Sequence, residues 1–213
     1  MHFIDVHTHF INPSNAFVID ISDNYAKASE VDFFSVGIHP KTFKTFEELT
    51  DSFLALSSLA ERKNCVAIGE CGFDKFSPLN LAEQEKIFSA QIALAQRFNK
   101  PLIIHCVRLY NEVIRCLKKA HFNHEVVFHG YNADSQTTKN LLKYPIINFS
   151  FSEKTLTGFK SLPVIPLERI FTESDTDEKT DFAKLINKIA DVKNAGFEEI
   201  KASIENNFKR LFC

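Results

Sequence analysis

Residues 66–105, VAIGECGFDKFSPLNLAEQEKIFSAQIALAQRFNKPLIIH, hold one complete strand–helix–strand unit. Val66 to Glu70 and Leu102 to His105 are short apolar runs, and each closes on a polar side chain of metal-ligand type. Between them, Leu81 to Phe98 sets Ile87, Phe88, Ala90, Ile92, Leu94 and Ala95 behind a start of Glu83, Gln84, Glu85 and Lys86, as an amphipathic helix does. Strand, helix and strand in succession predict parallel strands joined by a crossover helix.

The same signature extends outward in both directions. Apolar, β-branched or aromatic runs recur at Phe3 to Val6, Phe17 to Ile21, Phe33 to Ile38, Val126 to His129, Ile146 to Phe151 and Ile170 to Glu173, which with the two above makes eight candidate strands. Helical stretches FEELTDSFLALSSLAERK, LYNEVIRCLKKA and SQTTKNLLK fall between the later ones. Phe197, Ile200, Ile204, Phe208 and Leu211 form an apolar stripe on a terminal helix. The pattern reads as α/β, a TIM-like (β/α) barrel in a single domain over residues 1–213. Its first βα units are shortened or distorted: seven residues separate His9 from Phe17 and ten separate Ser22 from Phe33, too few for full crossover helices. The second strand is therefore expected in a hairpin.

Composition excludes several classes. With 45% hydrophobic and 24% charged residues, the chain has an ordinary globular make-up. A net charge of −2 provides no broad cationic surface, so any phosphate binding must come from a local patch. Five scattered cysteines without a C-x-x-C pair argue against a disulfide framework or zinc ribbon and for a reducing, cytoplasmic setting. No signal-peptide pattern, no apolar run of membrane length and no obligate protein partner are evident.

The chemistry-bearing residues sit at strand ends. His7 and His9 lie two apart on the first strand, which turns both imidazoles the same way. Glu70, His105 and His129 close their strands, and Asp175 follows IFTES. In a parallel barrel such ends converge on one face, where active sites are built. Four histidines and two carboxylates exceed what one ion takes from protein, so a two-metal site is expected, with Glu70 as its bridging ligand and Asp175 as the base that accepts a proton from water. Asp175 has a second reading as an N-cap for a following helix. Imidazole-rich sites suit zinc, manganese, nickel or iron, and carboxylate with water leaves room for magnesium.

Taken together, IDVHTH, VGIHP, AIGECGFD, IIHC, FHGY and TESD resemble the ordered motif series of the TatD-type metal-dependent deoxyribonucleases of the amidohydrolase superfamily. They run from residue 4 to residue 175, and IENNFKRLF is similar to that family's closing helix. The resemblance implies a TIM-like barrel, two divalent ions and trimming of DNA, with single-stranded ends as the substrate. It places His7, His9, Glu70, His105, His129 and Asp175 at the metal positions and turns His39 toward a substrate phosphate. Arg108 stands where the family's arginine meets a phosphate. Two departures are visible: the front end is condensed into residues 10–36, and no proline follows TESD.

Blander readings apply elsewhere. His39 also reads as a loop cap beside Pro40, and Arg108 as an exposed charge opening a helix. Cys71 and Cys106 are expected to be buried, unreactive thiols turned away from the metals. Asp5 and Glu173 are expected to orient the histidines or to pair within the barrel. His2, His121 and His124 read as surface residues. Lys41, Lys44, Arg108, Lys154 and Tyr131 are the residues from which a nucleic-acid patch could be drawn. Two other functions fit the same ligands: hydrolysis of a small ester, lactone, amide or aminoacyl ester, and a metal-stabilised binding protein without turnover.

Overall fold

The computed structural model describes residues 3–11, 15–42, 49–156 and 161–213. His2, Lys44 and the first residues of the FEELTD stretch lie outside them. All eight expected strands form: β1 (Phe3–Thr8), β2 (Asn15–Asp20), β3 (Phe34–Val36), β4 (Cys65–Asp74), β5 (Leu102–Val107), β6 (Val126–Phe128), β7 (Ile147–Phe151) and β8 (Ile170–Thr172), ordered as in the chain. The helices are α1 (Thr50–Ala60), α2 (Leu81–Phe98), α3 (Tyr110–Lys119), α4 (Ser135–Leu141), α5 (Phe182–Lys193) and α6 (Phe197–Phe212). Two compact units emerge, Met1–Ile19 with Val127–Cys213, and Asp20–Val126.

In the first unit, β1 and β2 pair parallel, with Phe3 opposite Asn15 and Asp5 opposite Phe17. The expected hairpin is thus corrected. A helix is not needed to reverse the chain over so short a distance. Six residues can reach about 20 Å, and a six-residue strand is roughly 20 Å or less, so a connection of six residues can return a chain to the start of a parallel neighbour. β7 and β8 also pair parallel, Phe149 opposite Ile170. A single bridge between Thr8 and Asp175 ties the end of β1 to the segment after β8. Helix α6 buries Ile200, Ile204, Phe208 and Phe212. Its stripe ends on Phe212 rather than on the expected Leu211.

In the second unit, β3, β4 and β5 run parallel, and a 3-10 turn at Tyr25–Ser29 replaces a full helix before β3. Helix α2 starts at a capping box: Asn80 accepts from the Glu83 N–H at 3.1 Å, and Glu83 accepts from the Asn80 N–H at 2.8 Å. It stops at Asn99, whose left-handed φ of 53° ends the helix. Its buried face holds Ile87, Phe88, Ile92 and Ala95, together with two glutamines, Gln84 and Gln91. Ala90, counted in the apolar stripe on sequence, is exposed.

Candidate metal centre

Each unit gathers its own group of ligand-type side chains. In the first, β1 delivers His7, and His9 follows directly on its end. Their rings meet edge to face with centroids 5.2 Å apart. His129, just past β6, puts its ring 4.4 Å from that of His7. Asp175 is held by backbone bonds on both sides: its N–H donates to the His7 carbonyl at 2.9 Å, and its carbonyl accepts from His9 N–H at 3.1 Å. This strap gives Asp175 a left-handed φ of 54°, which short polar residues tolerate better than most. Its Oδ1 then lies 3.8 Å from Nε2 of both His7 and His9. His7, His129 and Asp175 each offer a ligand atom within 4.8 Å of the others. The N-cap of α5 is Asp181, which accepts from Lys184 N–H at 3.0 Å, so Asp175 is not a helix cap.

Two buried carboxylates lie beneath this group. Glu173 accepts from Gly130 N–H at 2.7 Å and from the Ser150 hydroxyl, and its Oε1 is 3.9 Å from Nδ1 of His129. Burial lifts its carboxyl above the ordinary range, against the pull of His129 and His7. Asp5 accepts from the backbone N–H and the hydroxyl of Ser174, at 3.0 and 2.6 Å. Burial raises it to about 7 despite those bonds. Asp5 thus anchors the residue before Asp175.

In the second unit, Glu70 lies on β4 and His105 on β5. His105 Nδ1 is 2.7 Å from Glu70 Oε1, and His39 Nε2 approaches the same oxygen at 3.3 Å. Ligand atoms of His39, Glu70 and His105 lie within 4.8 Å of one another. His39 Nδ1 accepts from Lys41 N–H at 3.1 Å, so it does cap the loop beside Pro40 while its other nitrogen faces Glu70. Close backbone approach builds this group. A Cβ on Gly37 would stand 2.7 Å from the Gly69 carbonyl carbon and 2.8 Å from the Glu70 oxygen. Imidazoles set against a carboxylate at these separations are the donor set that borderline divalent cations take.

Sequence reasoning overlooked several residues here. Asp74 is fully buried and bonded to His105 Nε2 and Lys41 Nζ, each at 3.0 Å. Gln91 bonds the backbone of Ile38, next to His39, and Gln84 accepts from Asp74 N–H at 2.9 Å. The available signal was two glutamines on the apolar face of α2, where uncharged polar groups need dedicated partners.

Arg108, with φ of 62°, sets its guanidinium 5.7 Å from the ring centroid of Phe76, a side chain 61% exposed. Lys154 is exposed, but Tyr131 does not belong to a surface patch. It is buried, its hydroxyl bonded to Thr138 at 2.8 Å and its ring packed on Phe149, because a hydroxyl with a buried partner is as well placed inside as out. His121 is exposed, and His124 is half-buried with its ring on Phe122. Cys71 is fully buried, as expected, and its thiol pushed up by that burial; Cys106, expected buried as well, is half-buried because it lies at the end of β5, its thiol still raised to about 12 by the same cause. A cavity of about 290 Å³ beside β1 is lined by Asp5, Thr8, Phe10, Asp177 and Glu178. Among the described residues no helix is long and apolar enough to cross a membrane.

Known proteins resemble the chain over nearly all of its length. An uncharacterized metal-dependent hydrolase from Mycoplasma pneumoniae is 28% identical over 200 residues, covering 83% of this chain and 77% of the relative. A protein from Pantoea ananatis named 3'-5' ssDNA/RNA exonuclease TatD is 26% identical, covering 84% of this chain and 76% of its own. The crystal structure of YJJV, a TatD homologue from Escherichia coli K12, superposes with a TM-score of 0.82 at 21% identity, over 99% of this chain and 97% of that one. The fold is accordingly a TIM-like barrel of eight parallel strands, as the strand-end pattern implied. The family described as TatD related DNase matches residues 4–213, and the chain belongs to that family of metal-dependent hydrolases.

Proposed function

We propose that the chain hydrolyses phosphodiester bonds in nucleic acid, trimming single-stranded DNA ends with the help of two divalent ions. The observation that carries this reading is the pair of ligand groups, each with two imidazoles and a carboxylate inside 4.8 Å. His7, His9, His129 and Asp175 would hold metal in the first unit, Glu70 and His105 in the second. Bound there, divalent ions supply a polarised phosphoryl oxygen and a water whose pKa falls toward ~7.

The chain's own groups do the rest. Asp175 has a carboxylate 34% exposed, reachable by water yet held by backbone bonds, and it takes a proton from the attacking water as that oxygen bonds phosphorus and the P–O bond to the departing sugar oxygen breaks, the departing oxygen taking its proton from solvent. Glu173 accepts hydrogen bonds from Gly130 and Ser150 close to His129, so the wall behind that ring is rigid and polar. His39, its Nδ1 accepting from Lys41 N–H and its Nε2 3.3 Å from Glu70 Oε1, stands at the edge of the second group, where it can meet a phosphate oxygen. Arg108 supplies a forked cation to a neighbouring phosphate, and exposed Phe76 beside it offers a face on which an unpaired base can stack. The name of the Pantoea relative supports the same substrate class.

The test is hydrolysis of end-labelled single-stranded DNA and of a chromogenic phosphodiester by protein stripped of metal and reloaded with magnesium, manganese or zinc. Stepwise trimming that needs metal and vanishes in Asp175→Asn is the expected result. Turnover of small esters or amides, with none of DNA, would overturn it.

A further inference from the structure

Asp74 belongs to neither ligand group, yet its carboxylate meets the other nitrogen of His105. Its residue is fully buried at the end of β4. Oδ1 accepts from Phe76 N–H at 2.7 Å, while Oδ2 receives His105 Nε2 and Lys41 Nζ, each at 3.0 Å.

The strand explains the arrangement. Gly72 pairs with His105 in the β4–β5 ladder, and Glu70 and Asp74 stand two residues to either side of it, on the same face. Gly72 has φ of 135°, and a Cβ there would collide with the His105 carbonyl oxygen. A bare glycine thus brings the strands close enough for two carboxylates to bracket one imidazole, Glu70 at Nδ1 and Asp74 at Nε2.

Each carboxylate faces one ring nitrogen, so the place of the proton depends on what else lies in the bracket. A cation against Glu70 and His105 takes the Nδ1 lone pair, which leaves the proton of the neutral ring on Nε2, where Asp74, already paired with the Lys41 ammonium, accepts it. We propose that Asp74 is a positioning residue for metal binding: it takes the Nε2 proton of His105, so that Nδ1 is the nitrogen facing the cation beside Glu70, and Lys41 holds the Asp74 carboxylate in place. The proposal rests on the reading of His105 as a metal ligand. Carboxylates that orient ligating histidines typically carry a factor of about 10–100 in metal affinity.

The experiment titrates the full chain with Mn²⁺ by calorimetry, comparing the native sequence with Asp74→Asn, Lys41→Met and His105→Ala. In parallel, long-range ¹H–¹⁵N spectra of the Zn²⁺-loaded protein read the His105 tautomer. Asp74→Asn leaves one acceptor for three donors. With thermal stability near that of the native chain, it should weaken Mn²⁺ binding about 10–100-fold, with a smaller loss for Lys41→Met. The native spectrum should show His105 protonated at Nε2. Unchanged Mn²⁺ affinity in a folded Asp74→Asn, while His105→Ala loses it, overturns the positioning role and leaves the hydrolase reading intact. A His105 protonated at Nδ1 alone overturns it as well. Should Asp74→Asn fail to fold, the native tautomer and the Lys41→Met affinity decide. No Mn²⁺ binding by the native chain defeats the functional reading and this proposal together.

Discussion

The side-chain amide of Gln91 clasps the backbone of Ile38 at two points, accepting from its N–H at 2.7 Å and donating to its carbonyl at 3.1 Å. Both partners are buried, so Gln91→Leu strands a backbone donor and acceptor away from water, at about 1–3 kcal/mol each. The expected result is a thermal midpoint lower by roughly 5–10 °C, with loss of activity beyond what the stability change explains, because His39 follows Ile38. Calorimetry with activity assayed well below the midpoint separates the two.

Asp175→Asn keeps the backbone strap to His7 and His9 but removes the proton acceptor. Hydrolysis should fall about 10²–10⁴-fold, with circular dichroism unchanged. Retention of more than a tenth of the native rate would assign the base elsewhere.

Phe76→Ala distinguishes the nucleic-acid reading from a small-substrate one. Base stacking is worth about 1–3 kcal/mol by alanine substitution, so KM for a single-stranded oligonucleotide should rise roughly 10–100-fold while KM for a chromogenic phosphodiester stays put. Equal effects on both substrates would argue that Phe76 supports the loop instead of touching a base.

How far these residues could be foreseen varies with the range of the force that places them. Glu70, His105 and His129 stand out in sequence because an apolar strand ending on a ligand-type side chain is a local pattern, and the strand ends do gather into compact groups. The parallel pairing of β2 was not legible, since a short connection fits a hairpin as well as an extended return and only the register decides. Asp74, Lys41, Gln84 and Gln91 acquire meaning from partners 10 to 53 positions away. Tyr131 misled for a related reason: its hydroxyl is satisfied by Thr138 inside the fold.

Gly37→Ala should harm the metal site more than its size suggests. The added methyl would press on the Gly69 and Glu70 backbone, atoms that cannot swing aside as a flexible side chain can. A stability loss of about 1–3 kcal/mol is expected, accompanied by weaker Mn²⁺ binding. An unchanged metal titration would show that Glu70 tolerates the displacement.

Thiol reactivity should split sharply. Burial raises the Cys65 thiol to about 11, whereas Cys213 is exposed. At pH 8 a thiol pKa of 11 leaves about one molecule in a thousand ionised. A maleimide should therefore modify Cys213 within minutes and leave Cys65 untouched until the protein unfolds. Peptide mapping by mass spectrometry reads both.

Helix α2 contributes no metal ligand, yet Gln84 grips the Asp74 N–H and Gln91 grips Ile38. Opening that helix would therefore release the neighbours of two imidazoles in a single event, and thermodynamic linkage makes the traffic two-way. A cation bound at Glu70 and His105 should slow deuterium uptake by amides throughout α2, including those on its solvent face that never approach the ion. The helix would then report metal occupancy even for an ion that is spectroscopically silent.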